Sequence, residues 1–271
     1  MQRAIFCISL LFFSLSARAQ QAGENKVFSQ KMGKEIPVWV FLPSDYASSQ
    51  DTYAVFYFLH GAAGTPQSTV QNMPELQELA TSCQMIIICP DGGYTSWYFD
   101  SPIDSTMQYE TFVSQELIAW ADSSFRTIRS LAGRGISGLS MGGHGAVYLS
   151  FRHPEVFGAA GSMSGGVDFR PFPKSWDIAK RLGSYQSNKN RWEENTVINM
   201  LDLATKANLK LIIDCGTEDF FFQVNRQFHA ELLKRKIPHD YTERPGAHDW
   251  AYWRNSIQYH ALFFHHFFLN P

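Results

Sequence analysis

The chain has 271 residues, 45% of them hydrophobic and 18% charged, a balance that excludes a disordered chain and suffices to bury one large α/β core. Its formal net charge of −2, with no basic run and no stripe of interleaved basic and aromatic residues, excludes the electrostatic footprint of a nucleic-acid-binding protein.

At the N-terminus, Arg3 supplies a positive charge ahead of the apolar run Ala4–Leu15, which is too short to span a bilayer comfortably. Ala17-Arg18-Ala19 then fits a small-residue cleavage site. Residues 1–19 are predicted to be a signal peptide cleaved after Ala19. Residues 20–271 are predicted to form a single domain, secreted or periplasmic, with no membrane association after cleavage. Cys7 leaves with the signal. Cys83, Cys89 and Cys215 remain, at spacings that suggest no metal site. Export leaves a disulfide among them open, against the alternative of small buried hydrophobes.

Strand-like runs recur at Pro37–Leu42, Tyr53–Leu59, Met85–Cys89, Leu131–Ser137, Gly158–Met163, Leu209–Asp214 and His239–Arg244. Helical segments are read at Met73–Ser82, Tyr109–Phe125, Met141–Phe151, Phe222–Arg235 and Asp249–Phe268. Several strands are continuously apolar, as expected of strands buried on both faces. The alternation predicts an α/β fold with a mostly parallel central sheet and helices on both faces. In such sheets a site forms beyond the C-terminal ends of the strands. The stretch Asp168–Leu203 lacks strand signals and reads as a cap or insertion bordering that site.

Gly138-Leu139-Ser140-Met141-Gly142 lies between one of these strands and a helix and fits the G-x-S-x-G elbow, which presents a serine hydroxyl at a sharp turn. A serine needs a histidine to take its proton and a carboxylate to orient that histidine, here in the chain order serine, acid, histidine. For the acid, Asp219 lies in the loop after the strand Leu209–Asp214. Glu218 is the neighbouring alternative, and Asp219 also suits a cap for the following helix. Both roles coexist only if one carboxylate oxygen serves each. For the base, His248 follows the strand His239–Arg244. His144, on the elbow helix, is the nearest competitor. An oxyanion hole needs two backbone N–H groups, assigned to Met141 and to Ala62 in the small-residue loop His60–Gly64. His60 is expected to fix that loop by hydrogen bonding. Trp97 and Tyr98, with Phe99, are candidates for stacking on a sugar or a phenolic acyl group, the alternative being packing beneath the cap. Phe220, Phe221 and Phe222 are expected in the core.

His60-Gly61, Pro90–Tyr98, Gly138–Gly143, His153–Phe157, Gly216–Asp219 and Gly246–Asp249 together resemble the esterase D branch of the α/β-hydrolases. That branch includes S-formylglutathione hydrolases, tributyrin-type esterases, mycolyltransferases, and the acetyl-xylan and feruloyl esterases of carbohydrate esterase family 1. The likeness runs from about residue 27 to 268. It implies the triad Ser140, Asp219 and His248, no metal and no cofactor. The signal peptide argues against the cytosolic formylglutathione role. The expected function is a secreted serine carboxylesterase acting on short-chain or carbohydrate-linked esters through an acyl-enzyme. The alternatives are an acyltransferase of the mycolyltransferase type and a non-catalytic carbohydrate-binding protein on the same fold.

Overall fold

In the computed structural model, which describes residues 22–205 and 208–271, eight strands form one sheet in the order β1-β2-β4-β3-β5-β6-β7-β8. The strands are β1 (Gly23–Ser29), β2 (Lys34–Phe41), β3 (Ala54–Leu59), β4 (Met85–Pro90), β5 (Arg134–Gly138), β6 (Ala159–Met163), β7 (Lys210–Gly216) and β8 (Asp240–Arg244). Pairs from β4 through β8 are parallel, and β1 and β2 add an antiparallel margin. The helices are α1 (Pro66–Asn72), α2 (Leu76–Ser82), α3 (Tyr109–Thr111), a π turn (Phe112–Glu116) continuing into α4 (Leu117–Ser124), α5 (Met141–Arg152), α6 (Ile178–Leu182), α7 (Lys189–Asn195), α8 (Leu201–Ala204), α9 (Phe222–Lys234) and α10 (Trp250–Leu269). The expected signal peptide lies outside the described residues.

Every residue of β3 and β4 is buried, and the period of two along each strand divides them between two cores. Val55, Tyr57 and Leu59 face one core with residues of α4, α5 and α9. Phe56 and Phe58 face the other with α2 and α10. From α10 come Tyr252 and, along one stripe of a 3.6-residue period, Trp253, Ile257, Ala261 and Phe264. Helix α5 is buried along nearly its whole length and sits at the centre of the molecule. His153 caps its end before Pro154.

The sheet is the mainly parallel one expected, with differences that have local causes. Strand β1 was not anticipated, because only Val27 and Ser29 of its seven residues are buried and its edge carries charge. The predicted strand Leu131–Ser137 begins only at Arg134, since Leu131–Gly133 forms a 3₁₀ turn. The predicted helix Met73–Ser82 starts at Leu76, after Pro74, and is preceded by the unforeseen α1, whose N-terminus is closed by a Thr65–Ser68 capping box. The stretch Asp168–Leu203 contains only loops and short helices. It brings Lys174, Trp176 and Asp177 to the cleft. Cys83, Cys89 and Cys215 are free thiols, which closes the disulfide alternative. Among the described residues no helix is long and apolar enough to cross a membrane.

Candidate active site

The segments after β3, β5, β7 and β8 converge at the C-terminal rim of the sheet on a cleft of about 880 Å³. Ser140 stands between β5 and α5 with φ 56° and ψ −117°. A non-glycine residue held there costs on the order of 1–3 kcal/mol, and neighbouring contacts must enforce it. The flanking glycines show how. A Cβ on Gly138 would lie 2.5 Å from the Leu59 carbonyl oxygen, and one on Gly142 only 2.1 Å from it. The two glycines let the turn close on the end of β3. The Ser140 N–H donates to the Met163 carbonyl at 2.9 Å, tying the turn to β6 as well.

The Ser140 hydroxyl lies 2.9 Å from His248 Nε2 and donates to it when the ring is neutral. His248 Nδ1 then donates to Asp219 Oδ2 at 2.7 Å. The Asp219 carboxylate is fully enclosed and His248 nearly so. Its other oxygen, Oδ1, accepts the Phe221 N–H at 2.7 Å, so the carboxylate serves the imidazole and the turn into α9 at once. Glu218 is exposed. The loops carrying Asp219 and His248 are sewn together. The Thr217 N–H donates to the Arg244 carbonyl and the Glu218 N–H to the Gly246 carbonyl, both at 2.9 Å. Gly216 is required at that seam, because a Cβ there would meet the Gly246 oxygen at 2.3 Å. Asp249, next to His248, caps α10 by accepting the Tyr252 N–H at 3.0 Å. Trp253 meets the imidazole edge-on at 4.9 Å and Phe220 covers it at 4.1 Å.

Ala62 lines the cleft in the turn after β3, and Met141 opens α5. Among the described residues neither N–H donates to a backbone carbonyl, which leaves both for a ligand; at Met141 this is the usual state of a first-turn amide. Gly61 allows the approach, since a Cβ there would sit 2.8 Å from the Leu139 side chain and 3.3 Å from Ser140 Cβ. His60 braces the turn as expected. Its Nδ1 donates to the Gly61 carbonyl at 2.7 Å and its Nε2 accepts the Gly92 N–H at 2.8 Å.

Trp97 and Tyr98 do not stack in the cleft, and of the two placements left open by the sequence the structure takes the packing one. Both are buried and neither lines the cleft. They form two consecutive left-handed residues, φ 56° and 60°, and this turn swings both rings inward. Trp97 packs on His144 and Phe169. Tyr98 fills the space left by Gly145, where a Cβ would lie 2.3 Å from the ring, and its hydroxyl donates to the His60 carbonyl at 3.1 Å. The cleft aromatics are instead Tyr94, Trp176, Phe220, Trp250 and Trp253. Phe220, expected in the core, is half exposed on the wall, stacked on Trp176 at 5.7 Å, while Phe221 is buried.

His144 faces away from Ser140. Its Nε2 donates to the Asn195 carbonyl at 3.0 Å and its ring stacks on Tyr148. Burial pushes its pKa down from 6.5 to about 4. It therefore stays neutral in the fold while the unfolded chain takes up a proton below pH 6.5. The resulting stability is whole above 6.5 and is lost as the pH falls toward 4, a change of about 3 kcal/mol for a group so enclosed. His153, raised by its hydrogen bond to Glu110, acts in the opposite sense and above 6.5. Urea midpoints between about pH 6.5 and pH 5 should fall more steeply for the parent than for His144→Phe. Equal slopes would contradict the assignment.

Known proteins share this arrangement of chain. A family model described as "putative esterase" matches residues 29–264. An esterase of Mycobacterium tuberculosis is 28% identical over 240 residues, covering 77% of this chain but 51% of its own, so the chain spans about half the length of that relative. The acetyl esterase of Caldicellulosiruptor saccharolyticus is 24% identical over 249 residues, covering 85% of this chain and 92% of that protein. Among solved structures, a ferulic acid esterase superposes with a TM-score of 0.78 at 28% identity, covering 90% of this chain and 97% of its own.

Proposed function

The chain belongs to the putative esterase family of hydrolases and has the α/β-hydrolase fold, and on that premise we propose that it is an exported serine carboxylesterase working through Ser140, His248 and Asp219. The observation that carries the reading is the unbroken hydrogen-bonded line from the Ser140 hydroxyl through His248 to the enclosed Asp219 carboxylate, at 2.9 and 2.7 Å. As the Ser140 oxygen bonds to the ester carbonyl carbon, its proton passes to His248 Nε2. The carbonyl oxygen gains negative charge and takes hydrogen bonds from the Met141 and Ala62 N–H groups. The carbon–oxygen bond to the alcohol then breaks, and His248 returns the proton to the departing oxygen. Water repeats the sequence on the acyl-serine and releases the acid. Asp219 keeps the His248 proton on Nδ1 and stabilises the imidazolium.

We assign the substrate to short-chain or carbohydrate-linked esters. Support comes from the open cleft with its aromatic wall and from relatives named for acetyl and ferulic ester cleavage. Residues 1–19 carry the export signal in this reading, and residues 20–271 act as one domain without metal or cofactor. A side-by-side assay of p-nitrophenyl acetate, acetylated xylan and feruloyl esters, with and without an added sugar alcohol, tests it. Free acid is the expected product from at least one of the three. Acyl transfer to the alcohol as the main product would replace hydrolase with acyltransferase. Retention on xylan with no ester turnover would point to a binding protein.

A further inference from the structure

Beneath the cleft lies a second serine–histidine–aspartate line that the proposed reaction does not use. Ser137 Oγ is hydrogen-bonded to His260 Nδ1 at 2.8 Å, and His260 Nε2 lies 3.3 Å from Asp214 Oδ2, a close polar contact without hydrogen-bond geometry. All three residues are buried. The line continues outward: Arg244 donates to Asp214 Oδ2 at 2.9 Å and to the Ser256 hydroxyl at 2.6 Å, and Ser256 donates to Asp214 Oδ1 at 3.1 Å. Space for the pair is built in, because a Cβ on Gly161 of β6 would lie 2.6 Å from His260 Nδ1 and 2.7 Å from Ser137 Oγ. With no opening to solvent, Ser137 has no access to an ester.

What the line joins is the informative point. Ser137 lies on β5, three residues before Ser140. Asp214 lies on β7, five before Asp219. Arg244 ends β8, four before His248, and Ser256 and His260 lie on α10, which His248 precedes. The elements that deliver the three reacting groups are thus cross-linked to one another by buried polar contacts. We propose that the Ser137–His260–Asp214–Arg244 line is a positioning device: it fixes β5, β7, β8 and α10 against each other and so holds Ser140, Asp219 and His248 at bonding distance. The proposal rests on the reading of those three as the reacting groups. Such tolerances matter, since a displacement of about 1 Å at a reacting centre can cost on the order of a hundredfold in rate.

The test is Asp214→Asn, which keeps the shape of the side chain and removes the charge facing Arg244. Reactive serines are counted by fluorophosphonate titration, and kcat and KM are measured on p-nitrophenyl acetate beside the melting temperature. A positioning role lowers kcat per titrated serine about tenfold or more with KM within about twofold of the parent. A pin that matters only for stability lowers the melting temperature and the titrated fraction but leaves kcat per titrated serine unchanged, and that result would overturn the proposal. If Asp214→Asn does not fold, Ser256→Ala removes one hydrogen bond each from Asp214 and Arg244 and is read by the same split. Fluorophosphonate labelling of Ser137 in a Ser140→Ala chain would also overturn it, by making the buried serine reactive. Parental activity in Ser140→Ala would instead refute the underlying reading of Ser140, Asp219 and His248 as the reacting groups.

Discussion

Ser140→Ala is expected to lower kcat on an activated ester by on the order of 10⁶, about 8 kcal/mol of transition-state stabilisation. The magnitude follows from what the hydroxyl does. In the proposed mechanism it is the atom that bonds to the carbonyl carbon, and among the described residues no other oxygen is held within hydrogen-bond reach of His248 Nε2. Alanine leaves the elbow otherwise intact, because the close contacts that enforce the turn belong to Gly138 and Gly142. KM should therefore change little, and the loss should fall on kcat. A residual rate over water, of order 10³–10⁴, should survive from the Met141 and Ala62 amides and from binding in the cleft. The steady-state rate of the purified variant on p-nitrophenyl acetate checks this, and a rate within tenfold of the parent would remove Ser140 from the mechanism.

The second large effect separates two adjacent carboxylates. Asp219→Asn is expected to cost about 10⁴ in kcat, near 5.5 kcal/mol, whereas Glu218→Ala should stay within about twofold of the parent. In the parent, Asp219 Oδ2 accepts from His248 Nδ1, which leaves Nε2 free to receive the Ser140 proton. An asparagine that turns its amide nitrogen toward the ring presents a donor, forces the proton onto Nε2 and so blocks proton transfer. The second oxygen opposes the escape in which the amide flips, since that position must accept the Phe221 N–H. Glu218 is exposed and touches the site only through its backbone N–H, which alanine retains. The kcat values of the two variants decide the matter, and the reverse ranking would make Glu218 the acid.

That Ser140, Asp219 and His248 would meet was legible because each follows a run read as a strand, and parallel strands bring their C-terminal ends to one rim. Asp219 was preferred to Glu218 from its place after the strand, but the sequence carries no local signal for which residue of the turn faces inward. The placement of Trp97 and Tyr98 was left open for a similar reason. Two successive non-glycine residues at positive φ are rare enough that nothing in Ser96-Trp97-Tyr98-Phe99 announces them. A glycine far away in sequence, Gly145, makes room for the Tyr98 ring. Phe220 escaped notice because it was read with its two neighbours as apolar, although three consecutive phenylalanines cannot all face one side. Strand β1 and the short helices of residues 168–203 bury too little apolar surface to leave a periodic signal. The buried line from Ser137 to Arg244 spans more than a hundred residues and four elements, so no local pattern exposes it.

The proposed covalent step is open to direct observation. The parent protein, mixed with excess p-nitrophenyl acetate and quenched in acid within the first turnovers, is digested and its peptides are weighed. One acetyl group on the peptide that contains Ser140, absent from the Ser140→Ala chain, is the expected result. Acetyl carried by a different residue, while ester is being hydrolysed at the parental rate, would contradict the account.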